Sequence, residues 1–133
     1  MPLFTVTLRT GITVAEKDAI SASLHEASVI AGYPEDDFFQ RFSSLEEADF
    51  RVSPRYPDLR RPRGSQVVMI ECLVSSGTAD ARKRLLLSAM VSRLQAAGTD
   101  PEDVMVFFAE MDRSNSSFGG GRLAPPVDMR ATA

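Results

Sequence analysis

The 133-residue sequence predicts an α/β fold of the α+β kind: two tandem βαβ units forming one four-stranded mixed sheet, with two helices on one face. Three observations predict it. The order strand, helix, strand occurs twice. Each strand-to-helix turn holds a glycine, Gly11 and then Gly77. The turns into the closing strands read Tyr33-Pro34-Glu35-Asp36 and Asp100-Pro101-Glu102-Asp103, at similar distances after those glycines. A βαβ unit joins parallel strands by a right-handed crossover, which keeps its helix on one side of the sheet. With both helices on one side, the opposite face is bare, and burial by oligomerisation is expected.

The first unit spans about residues 2–43. Leu3-Phe4-Thr5-Val6-Thr7-Leu8 alternates apolar and polar residues, the pattern of a strand. Thr13-Val14-Ala15-Glu16 reads as a capping box, with Glu16 reaching back to the Thr13 N–H. Ile20, Leu24, Ala27 and Ala31 then fall on one helical face, and Gly32 followed by Pro34 ends the helix. Phe38 to Phe42 is the closing strand. A connection of about residues 44–65 has no period: it is acidic at Glu46-Glu47-Ala48-Asp49 and basic through Arg51, Arg55, Arg60, Arg61 and Arg63, and is broken by Pro54, Pro57 and Pro62. Such a segment is either a solvated surface loop or one that covers or grips a substrate.

The second unit spans about residues 66–110. Val67 to Val74 is its strand, and Thr78 or a neighbouring serine is expected to cap the helix. Leu86, Met90, Leu94 and Ala97 form the apolar stripe, Gly98 stops it, and Val104 to Phe108 closes the unit. The tail, residues 111–133, contains the flexible turn Ser116-Ser117-Phe118-Gly119-Gly120-Gly121 and an end, from Ala124, expected to be mobile or draped over a neighbour. The whole reads as one domain, 1–133.

Composition narrows the function classes. With 44% hydrophobic and 25% charged residues the chain is of ordinary globular type. No run approaches the ~20 apolar residues that span a bilayer, and no basic segment precedes an apolar stretch at the N-terminus, so a cytoplasmic protein without membrane contact is expected. Cys72 is the single cysteine and sits in an apolar run, which suits a buried thiol better than a nucleophile. One histidine, His25, leaves no material for a His-rich metal site or an obvious triad. The net charge of −3 and the lack of a basic helical stripe argue against nucleic-acid binding.

Pro2 is the residue with chemistry to offer. If Met1 is removed, Pro2 becomes a secondary amine whose ordinary range is about 7.7–8.0, and a dry apolar pocket lowers it toward a useful base. Pro2 opening a strand, the two βαβ units, Pro34-Glu35-Asp36-Asp37, Asp103-Val104-Met105-Val106 and Ser117-Phe118-Gly119-Gly120-Gly121 together resemble the tautomerase superfamily, in its long-chain branch with malonate semialdehyde decarboxylase. The similarity spans about Pro2 to Arg122.

The resemblance implies a catalytic Pro2, no cofactor and no metal, and a homotrimer. It implies that Asp37 orients or activates water and helps set the state of the proline; on its own, Asp37 also reads as a turn acid. Phe118 matches a pocket-lining aromatic, or is a core aromatic. Members of this type often carry arginines directly after the turn glycines, where a guanidinium grips a substrate carboxylate. Here those positions are Ile12 and Thr78. Arg41 is the first substitute, since Phe39 and Arg41 share the strand side of Asp37, although a surface arginine is an equal reading. The expected chemistry is tautomerase-type proton transfer on a small keto or enol carbonyl compound, including keto acids. The alternatives are decarboxylation or hydration of a small 3-oxo or unsaturated acid, or a non-catalytic trimeric binding protein.

Overall fold

Alternation in the first strand, β1 (Leu3–Arg9), buries Phe4, Val6 and Leu8 and turns Leu3, Thr5 and Thr7 to the other face. The computed structural model describes residues 1–125. After β1 come α1 (Val14–Ile30), β2 (Gln40–Leu45), β3 (Val68–Ser75), α2 (Asp80–Ala96) and β4 (Val104–Met111), with short 3-10 turns at Pro101–Asp103 and Arg113–Asn115. The sheet order is β2-β1-β3-β4. β1 pairs in parallel with β2, β3 in parallel with β4, and β1 antiparallel with β3, which makes the expected mixed sheet. Phe4 pairs with Gln40 and Val68 with Val104, the same separation of 36 residues, so the repeat in the sequence is a repeat in register.

One core lies between a sheet face and the helices. β3 supplies Val68, Ile70, Cys72 and Val74, α1 supplies Ile20, Leu24 and Ala27, and α2 supplies Leu86, Met90 and Leu94. Full burial of each larger aliphatic side chain is worth roughly 1.5–3 kcal/mol. The opposite face keeps Met69, Leu73 and Met105 half-buried and Phe107 57% exposed.

Some local expectations are corrected. The closing strand of the first unit runs from Gln40 to Leu45, not from Phe38 to Phe42. The turn that ends at Asp37, whose N–H donates to the Pro34 carbonyl, delays entry into the sheet, and the Phe39 carbonyl makes the first contact with β1 by accepting from Phe4 N–H. Ala97 is exposed at the end of α2, and Ala89 fills the buried stripe in its place. The cap of α1 is the capping box read from Thr13 and Glu16. The cap of α2 is Ala79, with no side-chain hydrogen bond, because the Thr78 hydroxyl donates instead to the Ser75 carbonyl at 2.6 Å.

The connection between the units has no strand or helix, yet its arginines fasten it. Arg63 donates to the carbonyls of Ser53 (2.6 Å) and Tyr56 (2.7 Å), and Arg61 pairs with Asp100 and Asp103 across the chain. The expectation for the chain end falls, from Pro126 onward, outside the described residues. Among the described residues, no helix is long and apolar enough to cross a membrane.

Candidate active site

The start of β1 is central in the sheet, flanked by the start of β2 and the end of β3. This position buries whatever precedes Leu3. Pro2 is fully buried, and the amino group of Met1 forms an ion pair with Asp37 Oδ2. The second oxygen of that carboxylate, Oδ1, is buried and has no hydrogen-bond partner among the described residues. The Tyr33-Pro34 turn places Asp37 there, so two residues far apart in sequence, Pro2 and Asp37, converge on one point.

Tyr33 stands beside them. Burial pushes its phenol above the ordinary value, and Cys72 and Asp37 add to the rise, while the Arg82 guanidinium and the Thr78 hydroxyl pull it down. The phenol is therefore protonated near neutrality and can donate a hydrogen bond. Arg82, in the first turn of α2, lies over the Tyr33 ring with its guanidinium carbon 4.2 Å from the centroid. Its Nε and Nη2 are buried and unpartnered. Beneath lies Cys72, fully buried, its thiol pushed by burial up to about 12 against a smaller pull from the amino terminus. A thiol held neutral in this way is structural, not a nucleophile.

The other expected residues lie on exposed surface. Phe39 and Phe118 meet with centroids 5.2 Å apart, and the Arg113 guanidinium lies 5.7 Å from the Phe118 ring. Arg41 is exposed and donates to Thr5 Oγ1 at 3.4 Å. Tyr33 and Arg82 were not singled out from the sequence. Tyr33 was hidden in a turn motif, but Arg82 left a signal: a cation in the first helical turn opposes the helix dipole and asks for another reason to be there.

A cleft of about 350 Å³ opens at the far end of β1, between Leu8, Ile12, Val68 and the start of α1. Its three carboxylates are already paired: Asp103 accepts from Gly64 N–H and Arg61, Asp100 from Arg61 and Glu102 N–H, and Glu16 from Thr13. Among the described residues, Asp37 and Arg82 at the Pro2 end keep buried side-chain atoms without partners, as do Gln40, Arg9 and Arg63 elsewhere. Among the described residues, no group of three or more His, Cys, Asp or Glu side chains could hold a metal ion.

A family model described as tautomerase enzyme matches residues 37–119, more than half of the chain. The chain belongs to the tautomerase family. Its fold is shared with a malonate semialdehyde decarboxylase described with decarboxylase and hydratase activities, at 27% identity and TM-score 0.83, over 90% of this chain and 92% of that one. A member of the cis-3-chloroacrylic acid dehalogenase family is similar at 22% identity and TM-score 0.71, over 93% and 84% of the two chains. A fused 4-OT protein, a symmetric trimer, is similar at 23% identity and TM-score 0.75, over 92% and 96%. No curated protein sequence matches the chain. Tautomerase-fold relatives thus include decarboxylases, dehalogenases and tautomerases.

Proposed function

We propose that this chain catalyses cofactor-free proton transfer on a small keto or enol carbonyl compound, with Pro2, freed by removal of Met1, as its N-terminal catalytic amine. The observation that carries the reading is the full burial of Pro2 where the amino terminus meets Asp37. A buried amine is held back from taking a proton permanently, which suits a base that accepts a proton from carbon or an enol and returns it elsewhere. Asp37 orients the reacting proton or a water. Phe39 and Phe118 form an aromatic wall, and Arg41, on the strand side shared with Phe39, is an outer positive charge that draws in anionic substrates. Three copies associate through the bare sheet face.

One observation supports a second reading. The Asp37 carboxylate stands beside the amino terminus as its ion-pair partner, an arrangement that suits an amine acting as an acid. A cationic Pro2 polarises the carbonyl of a 3-oxo acid for decarboxylation, or protonates carbon while Asp37 directs water in hydration. The similarity to a decarboxylase with hydratase activity lends this weight.

The test is conversion of phenylpyruvate enol to ketone, followed by ultraviolet absorbance across pH, with the N-terminus fixed by mass. Pro2→Ala is expected to lower the rate by about 10²-fold or more, the usual contribution of a positioned acid or base. Activity that rises with pH marks a base; activity that falls marks an acid and directs the assay to oxo-acid decarboxylation and hydration. Retention of Met1 in active protein would remove Pro2 from the chemistry under both readings, since its nitrogen would then be an amide.

A further inference from the structure

The Pro2 end of the molecule holds a cation with nothing to bind. Arg82 stays charged at any working pH, and a buried charged donor without an acceptor is destabilising. Its stacking on Tyr33 covers one face of the guanidinium, and the unpartnered nitrogens are Nε and Nη2, which lie side by side along one edge. That edge offers two nearly parallel N–H bonds, the arrangement that matches the two oxygens of a carboxylate.

The chain itself shows how this edge is used. At the far end of β1, the same two nitrogens of Arg61 engage Asp100 Oδ2, Nε at 3.0 Å and Nη2 at 2.9 Å. Arg9 and Arg63 also leave a buried Nε unpartnered, but each is anchored through its Nη atoms, Arg9 to the Phe50 carbonyl and Arg63 to Ser53 and Tyr56; Arg82 is the one with two adjacent nitrogens unpartnered among the described residues. Asp37, whose charge reaches the same Tyr33 phenol, is taken through Oδ2 by the amino terminus, while its Oδ1 lacks a donor among the described residues. An unpartnered donor pair and an unpartnered acceptor therefore lie around one tyrosine, Tyr33.

We propose that Arg82 holds the substrate, taking the carboxylate of a small oxo acid across its Nε and Nη2 edge. This rests on the proton-transfer reading and narrows its substrate to an acid. It also supplies the guanidinium that the turn positions Ile12 and Thr78 lack. Asp37 Oδ1 is left to accept the enol or water proton at the other end of the ligand, and the protonated Tyr33 phenol to donate to the carbonyl oxygen.

The test reads binding apart from turnover. In Pro2→Ala protein, titration calorimetry with phenylpyruvate and with its methyl ester is expected to show the acid bound more than tenfold tighter. Adding Arg82→Met should weaken the acid by about 10²-fold and leave the ester unchanged, while Arg82→Lys, which keeps the charge without the fork, should recover only part. Without ligand, Arg82→Met should melt no lower than its parent, because it removes an unpaired buried charge; a structural arginine would lower the melting temperature. Acid binding that survives Arg82→Met, equal affinity for acid and ester, or no acid binding by the parent would each overturn the proposal. Acid binding through Arg82 without enol turnover in the unmutated chain would sink the proton-transfer reading alone. Turnover unaffected by Arg82→Met would sink the arginine alone.

Discussion

At the scale of single residues, the site is an arrangement of groups left incomplete. Asp37 Oδ1 and two nitrogens of Arg82 are buried without partners, whereas carboxylates elsewhere, such as Asp103, are paired. Pro2 could be picked out as a chain terminus, whereas Asp37 entered only through the resemblance to tautomerases and on its own read as a turn acid. Arg82 could not be, because its meaning comes from what surrounds it in space: the ring of Tyr33, from the other unit, and the absence of an acid. Cys72 allows a test of how dry this region is. Burial raises its thiol from 9.0 to about 12, so the folded state favours the neutral form. Below pH 9.0 folded and unfolded thiols are both protonated, and Cys72 adds no pH dependence. Between 9.0 and about 12 the unfolded chain loses its proton first, so stability falls as pH rises. Urea unfolding of the unmutated protein should therefore lose about 1.4 kcal/mol more than Cys72→Ala on going from neutrality to about pH 10. Equal losses in the two proteins would mean that water reaches the thiol.

At the scale of elements, the two helices are alike in length and unlike at their starts. Each has 17 residues and each begins after a glycine with φ in the left-handed region, Gly11 at 101° and Gly77 at 86°, where a side chain is disfavoured. α1 has its capping box, and α2 begins at Ala79 with extended backbone and no side-chain acceptor for its first N–H groups. Thr13→Ala should cost about 1 kcal/mol, and Ala79→Ser should gain up to about 1 kcal/mol, both measured as shifts in the urea midpoint. An Ala79→Ser variant no more stable than its parent would show that the first turn of α2 already has acceptors. The fold was legible at this scale because strand alternation, helical stripes and glycine turns are local signals written twice. What was not legible depends on competition between neighbours. Thr78 has the chemistry of a cap, but its hydroxyl is spent on Ser75, and Phe38-Phe39 has the composition of a strand, but the Pro34 turn holds it back from the ladder. The arginines between the units read equally as surface or substrate contacts, and those at 61 and 63 fold the loop upon itself and onto Asp103.

At the scale of the molecule, duplication creates two similar ends, and charge distinguishes them. At the far end Arg61 brings the connecting loop onto Asp100 and Asp103, so the carboxylate and the guanidinium satisfy each other. At the Pro2 end the corresponding donors and acceptors are left over, which is why chemistry is assigned to one end. Duplication also places both helices on one sheet face and leaves the other with an apolar patch of Met69, Leu73, Met105 and Phe107 beside the polar Thr5, Glu71 and Arg41, a mixed surface of the kind that meets another chain. Phe107 is the residue that separates a bare face from a shared one. It is 57% exposed in the single chain and belongs to no part of the core, so placing a lysine there leaves the packing between sheet and helices intact. In a trimer built on this face, the same lysine and its register partner Glu71 would be a charged pair forced out of water, a desolvation that costs several kcal/mol at each of three equivalent contacts. If the parent sediments as a trimer, Phe107→Lys should sediment as a monomer at the same micromolar concentration, with its parent's far-ultraviolet circular dichroism. A variant that remains trimeric would place the contact elsewhere, and a parent that is monomeric at the same concentration would mean that this face stays uncovered.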